Sequence, residues 1–155
     1  MKKVLLCALL AITPILSWAD IKGKVVAVSD GDTIRVLTSD NKEIRVRMLR
    51  IDAPESSQAF GQRSRQNLNS MAYGKEVRIV QDGKSKVDKY QRILGTVYVN
   101  GVNLNYQQVK DGYAWADRFF EPTQKFIHAE AEAKKFKKGL WIEPNPLEPW
   151  NYRHK

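Results

Sequence analysis

IKGKVVAVSDGDTIRVLTSDNKEIRVRMLRI, residues 21–51, decides the fold. Val25, Val26 and Val28 lie in one β-rich run and Ile34, Val36 and Leu37 in the next, with Ser29-Asp30-Gly31-Asp32 as the turn signal between them. A second turn at Ser39–Lys42 leads into Glu43–Ile51, where charged and apolar residues alternate as a half-buried strand requires. The segment therefore reads as three antiparallel strands, the third running to Ile51.

Downstream, Pro54 closes the third strand, and Gly61–Tyr73 places Leu68, Met71 and Ala72 at helical spacing. Val77–Val80 and Leu94–Val99 read as two further strands, separated by a charged loop from Asp82 to Gln91. Asn105 with Gln108 has the form of a capping box opening a short helix that Gly112 would end. A last helix is expected between Thr123 and Lys138, with Phe126, Ala129, Ala133 and Phe136 on its apolar face and Gly139 as its stop. Beyond it Trp141, Pro144, Pro146, Pro149 and Trp150 suggest an extended strap from about residue 140, its indoles packed back on the body. The fold class is mainly β with helices (α+β): a five-stranded OB-type β-barrel capped by about three helices.

The chain of 155 residues fits one domain. Residues 1–19 read as a secretory signal peptide: Lys2 and Lys3 precede an apolar run, and Ser17-Trp18-Ala19 supplies a small-x-small cleavage pattern. A short membrane anchor is the competing reading, and the run is below the roughly 20 residues a span needs. Residues 20–155 would then form the single domain, exported to a periplasm or the medium. Cys7, the one cysteine, falls in the leader, so the mature domain would hold no disulfide. Loss of Lys2 and Lys3 lowers the formal charge from +9 to +7. Such a basic exported domain meets nucleic acid, anionic lipid or acidic glycan, and charge alone does not choose among them.

The acids narrow the field. Asp32 follows the first turn, and Asp52 and Glu55 flank Pro54 where the third strand ends; strand ends let a rigid scaffold converge carboxylates. Asp and Glu without nearby His or Cys favour a hard, oxygen-seeking cation, calcium or magnesium over zinc. The only histidines are His128 and His154, which speaks against a histidine-driven nuclease. What is left for phosphodiester cleavage is a metal-bound phosphate, a carboxylate that handles water, and arginines that neutralise developing charge. Taken singly, Asp30-Gly31-Asp32 is also an ordinary turn, and Arg45, Arg47 and Arg50 an ordinary charged strand.

Five segments in order, VVAVSDGDTIRV (25–36), RVRMLRIDAPE (45–55), DKYQRILGTVYVNG (88–101), NYQQVKDGYAW (105–115) and EAEAKKFKKGLW (130–141), resemble the staphylococcal nuclease (thermonuclease-like) family. The resemblance covers nearly all of the chain after the leader. It implies a calcium-dependent phosphodiesterase acting on DNA and RNA as a monomer, with no stable protein partner. By resemblance, Asp32, Asp52 and the Ala53 carbonyl would hold one Ca2+ ion, with Asp30 in its outer shell. Glu55 would act on the attacking water, Arg47 and Arg92 would grip the scissile phosphate, and Lys89 and Tyr90 would meet a terminal phosphate. Asp88 is given a structural role in its loop. Two departures bear on function: the chain between Glu55 and Gly61 is shorter than the prototype's loop, and Arg118 and Phe120 stand where the prototype has tyrosines near the bound base. A catalytically inactive OB-type nucleic-acid-binding module and a cationic surface protein are the alternatives.

Overall fold

The computed structural model describes residues 20–154; the proposed leader, 1–19, lies outside them. Strand β1 (Ile21–Asp30) pairs antiparallel with β2 (Thr33–Thr38), which pairs with β3 (Glu43–Met48). On its other edge β1 meets β5 (Glu76–Val80), and β5 meets β6 (Ile93–Val99). A parallel pairing of Val46–Met48 in β3 with Ile93–Gly95 in β6 closes the five strands into the expected barrel. Register shifts between Val25 and Ala27 and between Val28 and Asp30 bend the long β1 around the barrel, so that Val25 and Val28, three residues apart, both face inward. Ile34, Val36, Val46, Met48, Val77, Ile79 and Val97 fill the interior by simple alternation.

The third strand departs from expectation. It breaks after Met48 and resumes as a two-residue strand β4 (Ile51–Asp52), because Arg50 takes a left-handed backbone, φ 68°. Strand β4 leaves the barrel and pairs with β8 (Trp115–Ala116), matching Asp52 to Trp115. That diversion carries the Asp52 carboxylate out to the barrel's end. A further two-residue strand, β7 (Val102–Asn103), hairpins with β6.

Helix α1 (Gly61–Ala72) buries Ser64, Leu68 and Ala72, one turn apart on one stripe. Helix α2 (Leu104–Lys110) is capped by Asn103, whose side chain accepts from the Tyr106 N–H at 2.9 Å, rather than by Asn105. Asn105 is wholly buried instead: its Oδ1 accepts from Val97 N at 2.9 Å and its Nδ2 donates to the Leu49 and Gly95 carbonyls at 2.9 and 3.1 Å. It thereby stitches the barrel seam where β3 breaks. Helix α3 (Gln124–Lys135) packs Phe126, Ala129 and Ala133 inward as expected, but ends a turn early. Lys137, φ 50°, takes the left-handed position, with Lys138 N bonding Ala133 O and Lys137 N bonding Lys134 O, so the expected stop at Gly139 comes too late and Phe136 is left exposed. The strap is not wholly extended: a 3-10 turn spans Gly139–Ile142 and a short helix α4 spans Pro149–Tyr152. Its indoles do pack back, Trp141 and Trp150 meeting Trp115 edge-on at 4.3 and 5.5 Å. Among the described residues no helix is long and apolar enough to cross a membrane.

Candidate active site

Four chain segments converge at one end of the barrel. The turn between β1 and β2 delivers Asp32, and it is fixed from behind. Gln108 of α2 donates to the Gly31 carbonyl at 2.7 Å, and a side chain at Gly31 would collide with Ser64 and Ala53. Asp32 is buried; its Oδ1 accepts from Thr33 Oγ1 at 2.9 Å and its Oδ2 from the Ala53 N–H at 2.8 Å. That second bond ties the turn to the segment after β4, so Asp32 and Asp52 are held by one backbone linkage.

The end of β3 supplies Arg47. Its Nη1 donates to the carbonyls of Met48 at 2.8 Å and Ile51 at 2.9 Å, locking the local break in the strand. Its Nη2 stands 3.2 Å from Asp32 Oδ2 and 3.1 Å from Asp52 Oδ1, bridging the two acids. Burial pushes the Asp52 carboxyl above the usual carboxylate range; a hydrogen bond from Arg153 and the Arg47 charge pull the other way, and the neighbouring Asp32 adds to the rise.

Glu55 lies on the loop between β4 and α1. Its N–H donates to Gln58 Oε1 at 3.1 Å, and Gly61 packs so tightly on the Glu55 backbone that a Cβ there would overlap its carbonyl oxygen. Asp30 is turned to the Ser56 hydroxyl of the same loop.

A residue that the sequence reading passed over completes the cluster. Arg153, at the C-terminal end of α4, grips Asp52 with both nitrogens, Nη2 to Oδ2 at 2.7 Å and Nη1 to Oδ1 at 3.1 Å, and reaches Glu55 Oε1 at 2.8 Å. No motif in the tail marks it. The one usable signal is the Pro149-Trp150 pair, which anchors the segment.

The structure thus brings Asp32, Arg47, Asp52, Ala53 and Glu55 together. Arg92, Lys89 and Tyr90 form a separate group. Arg92 precedes the paired Ile93, which faces Val46, so the register sets it beside Arg45 on the outer barrel face that Arg47 shares. Its Nε donates to Asp88 Oδ2 at 2.8 Å, and its guanidinium lies 5.3 Å from the Tyr90 ring centre. Asp88 also accepts from the backbone N–H groups of Tyr90 and Arg92, each at 2.9 Å. Lys89 and Tyr90 are exposed, Lys89 Nζ lying 5.1 Å from the Tyr90 ring centre. Arg118 turns inward to Ala116 O and the buried Glu130, at 2.8 and 2.7 Å, whereas Phe120 projects into solvent.

Among the described residues no three His, Cys, Asp or Glu side chains are gathered as a ready metal nest. The donors that do converge, two buried carboxylates beside the Ala53 backbone, are hard oxygens. They fit a calcium-type ion that takes its other ligands from water and phosphate, and they do not fit zinc.

The chain is similar to known proteins along most of its length. The profile of the family described as "Staphylococcal nuclease homologue" matches residues 45–143, which include Arg47, Asp52, Glu55 and Arg92. The chain is 43% identical over 155 residues to an "Uncharacterized endonuclease" of Haemophilus influenzae, covering 98% of this chain and 85% of that protein. It is 41% identical over 157 residues to the "Micrococcal nuclease" of Shigella flexneri, covering 94% and 88%, and 40% identical over 148 residues to "Protein ParB" of Escherichia coli, covering 88% and 81%. The closed barrel, the acidic end with its bridging arginine, and a match over most of the sequence lead to one conclusion: the chain belongs to the staphylococcal nuclease family.

Proposed function

We propose that this nuclease is a calcium-dependent phosphodiesterase that hydrolyses DNA and RNA, working as an exported monomer in the periplasm or the medium. The observation that carries the reading is the convergence of Asp32, Asp52 and Glu55 on one barrel end with Arg47 between the aspartates. Two buried carboxylates bridged by one arginine, with a third carboxylate at the rim, are costly without cations and useful with them.

Asp32, Asp52 and the Ala53 carbonyl would hold one calcium ion, which when bound supplies positive charge to the phosphate and to its attacking water. Glu55, on a loop that two close backbone contacts keep in place, accepts a proton from water or orients it. Arg47 and Arg92 sit on one barrel face and offer planar, fixed forks to phosphate oxygens, which gain charge in the pentacoordinate state. Arg92 acts by charge, since a guanidinium does not release its proton readily. Lys89 and Tyr90, exposed beside Arg92, would meet a terminal phosphate, and Phe120 gives a ring on which a base can stack.

The test is digestion of single-stranded DNA, duplex DNA and RNA by the purified chain, with calcium and with a chelator. Cleavage confined to the calcium samples is expected, and full cleavage in chelator would sink the metal assignment. Glu55→Gln should keep substrate binding and lose about 10²–10⁴-fold in rate, the usual worth of a general base. Retardation of DNA with no shortening under any condition would favour the binding-module alternative.

A further inference from the structure

Asp52 has both carboxylate oxygens on one guanidinium, and that guanidinium also holds Glu55. These are the atoms that, on the reading above, take the divalent ion and handle water. We propose that Arg153 is a tethered competitor for the acidic centre: seated, it fills the cation's place, and it must swing out before ion and substrate can occupy the site.

Three observations carry the inference, which rests on the divalent-cation reading of this centre. The first is the geometry. A bidentate fork on Asp52 plus a third bond to Glu55 is among the strongest contacts an arginine makes, and its atoms coincide with the functional ones. The second is the anchoring. Arg153 is not on a loose tail. Gln58 Nε2 donates to the Leu147 carbonyl at 2.5 Å, Tyr152 Oη meets Ser57 Oγ at 2.8 Å, Pro149 is buried, and Trp150 packs edge-on to Trp115 and Phe119. The strap thus fixes the Arg153 backbone beside the acids, while its side chain, 42% exposed, has solvent to swing into. Gln58 and Ser57 belong to the Glu55 loop, so the strap and the loop are positioned together.

The third observation is charge. Asp32, Asp52 and Glu55 bring three negative charges, and Arg47 and Arg153 two positive ones, leaving a centre of formal charge −1. With Arg153 withdrawn it is −2, the value that matches a divalent ion. Arg47 is the less able to leave, since its Nη1 is occupied by two carbonyls and its side chain is only 18% exposed. Of the two guanidiniums, Arg153 is the removable one.

The experiment is a calcium titration by calorimetry of the full chain and of Arg153→Gln, both stripped of metal, with melting curves taken alongside. A competitor seated nine-tenths of the time weakens apparent affinity about tenfold, so Arg153→Gln should bind calcium about tenfold more tightly. Its melting temperature should fall in chelator and rise further on calcium addition than that of the native chain. Cleavage by Arg153→Gln should exceed the native rate at limiting calcium, by a ratio that shrinks as calcium rises. Equal or weaker calcium binding by Arg153→Gln, with binding intact in the native chain, overturns the competitor alone. Cleavage reduced at every calcium concentration also overturns it and makes Arg153 a substrate ligand. Two cooperatively melting chains that bind no calcium overturn the divalent-ion reading itself, and the competitor with it. Should Arg153→Gln fail to melt cooperatively, Arg153→Lys, which keeps the charge and loses the fork, decides the matter by binding calcium more tightly than native or not.

Discussion

Replacing Arg47 by Gln removes the cation that joins the two buried aspartates, and the cost can be worked from its contacts. The side chain makes two bonds to carbonyls and bridges Asp32 and Asp52, and it is 18% exposed. Deleting one partner of a buried ion pair costs about 3–5 kcal/mol, and partial exposure places this case near the lower end, about 3 kcal/mol. For a domain of this size a kcal/mol corresponds to about 3–5 °C, so Arg47→Gln in chelator should melt about 9–15 °C below the native chain. Calcium should narrow the gap, because a bound dication replaces the missing positive charge: if the variant binds it about tenfold more tightly than the native chain, the gap closes by about 1.4 kcal/mol at saturation. The assay is thermal unfolding by circular dichroism with and without calcium, beside cleavage rates at a temperature where both chains stay folded. Melting within about 2 °C of native in chelator would refute the structural account of Arg47. A rate loss that persists in the folded, calcium-loaded variant would isolate its contact with phosphate from its role in holding the acids.

Asn105→Ala should leave the Val97 N–H and Leu49 carbonyl without their buried partner, while Gly95 O keeps its bond from Leu49 N; at about 1–3 kcal/mol each, urea unfolding should show a loss of about 2–6 kcal/mol. A loss under about 1 kcal/mol would contradict that bookkeeping. Burial raises the Asp88 carboxyl, but the backbone and side-chain bonds from Arg92 and the bond from the Tyr90 N–H outweigh it and hold the group below its ordinary 3.8. A lowered folded value means the contribution to stability is present above the unfolded value and lost as pH falls through the folded one. The Arg92 loop should therefore keep its form at pH 4 and loosen only below 3.8, as an NMR titration of Asp88 would show; an inflection at or above 3.8 would contradict it. Asp88→Asn should loosen the loop at every pH and lower cleavage.

The barrel was legible because its signals are local. Turn residues bound each β-rich run, and alternation sets the inward face from Ile34 to Met48. What escaped depended on contacts distant in sequence. Nothing around Leu49 and Arg50 announces a left-handed residue, because the compensation comes from Asp82, Thr96 and Glu121, all far along the chain. Asn105 has the right spacing for a cap and was drawn instead into the barrel seam, where unpaired backbone groups made a stronger claim. Phe136 lies in phase with Phe126 and Ala133, but phase does not show where the helix unwinds. In the site, the motif acids and Arg47 could be named from resemblance, whereas Arg153 could not, because its role arises only when the strap folds back. The inward turn of Arg118 also depends on a partner, Glu130, that its own surroundings do not reveal.

The loop bearing Asp52 and Glu55 is bracketed by two non-glycine residues in left-handed conformation, Arg50 at φ 68° and Phe60 at φ 64°. Each costs about 1–2 kcal/mol. Arg50 turns β4 out of the sheet so that Asp52 meets Trp115, and Phe60 turns the chain into α1 so that Gly61 can lie against the Glu55 backbone. Strain falls on the eleven residues 50–60, and like-charge crowding on Asp52 and Glu55 within them and Asp32 beside them; buried bonds oppose the first and cations the second. Such a loop favours any bound positive charge that relieves it, whether from Arg47, from Arg153 or from an incoming ion. On the divalent-ion reading proposed above, Arg47, Arg153 and the ion would all answer the same crowded negative charge, and the two turns at Arg50 and Phe60 would present that charge on a loop already set in place.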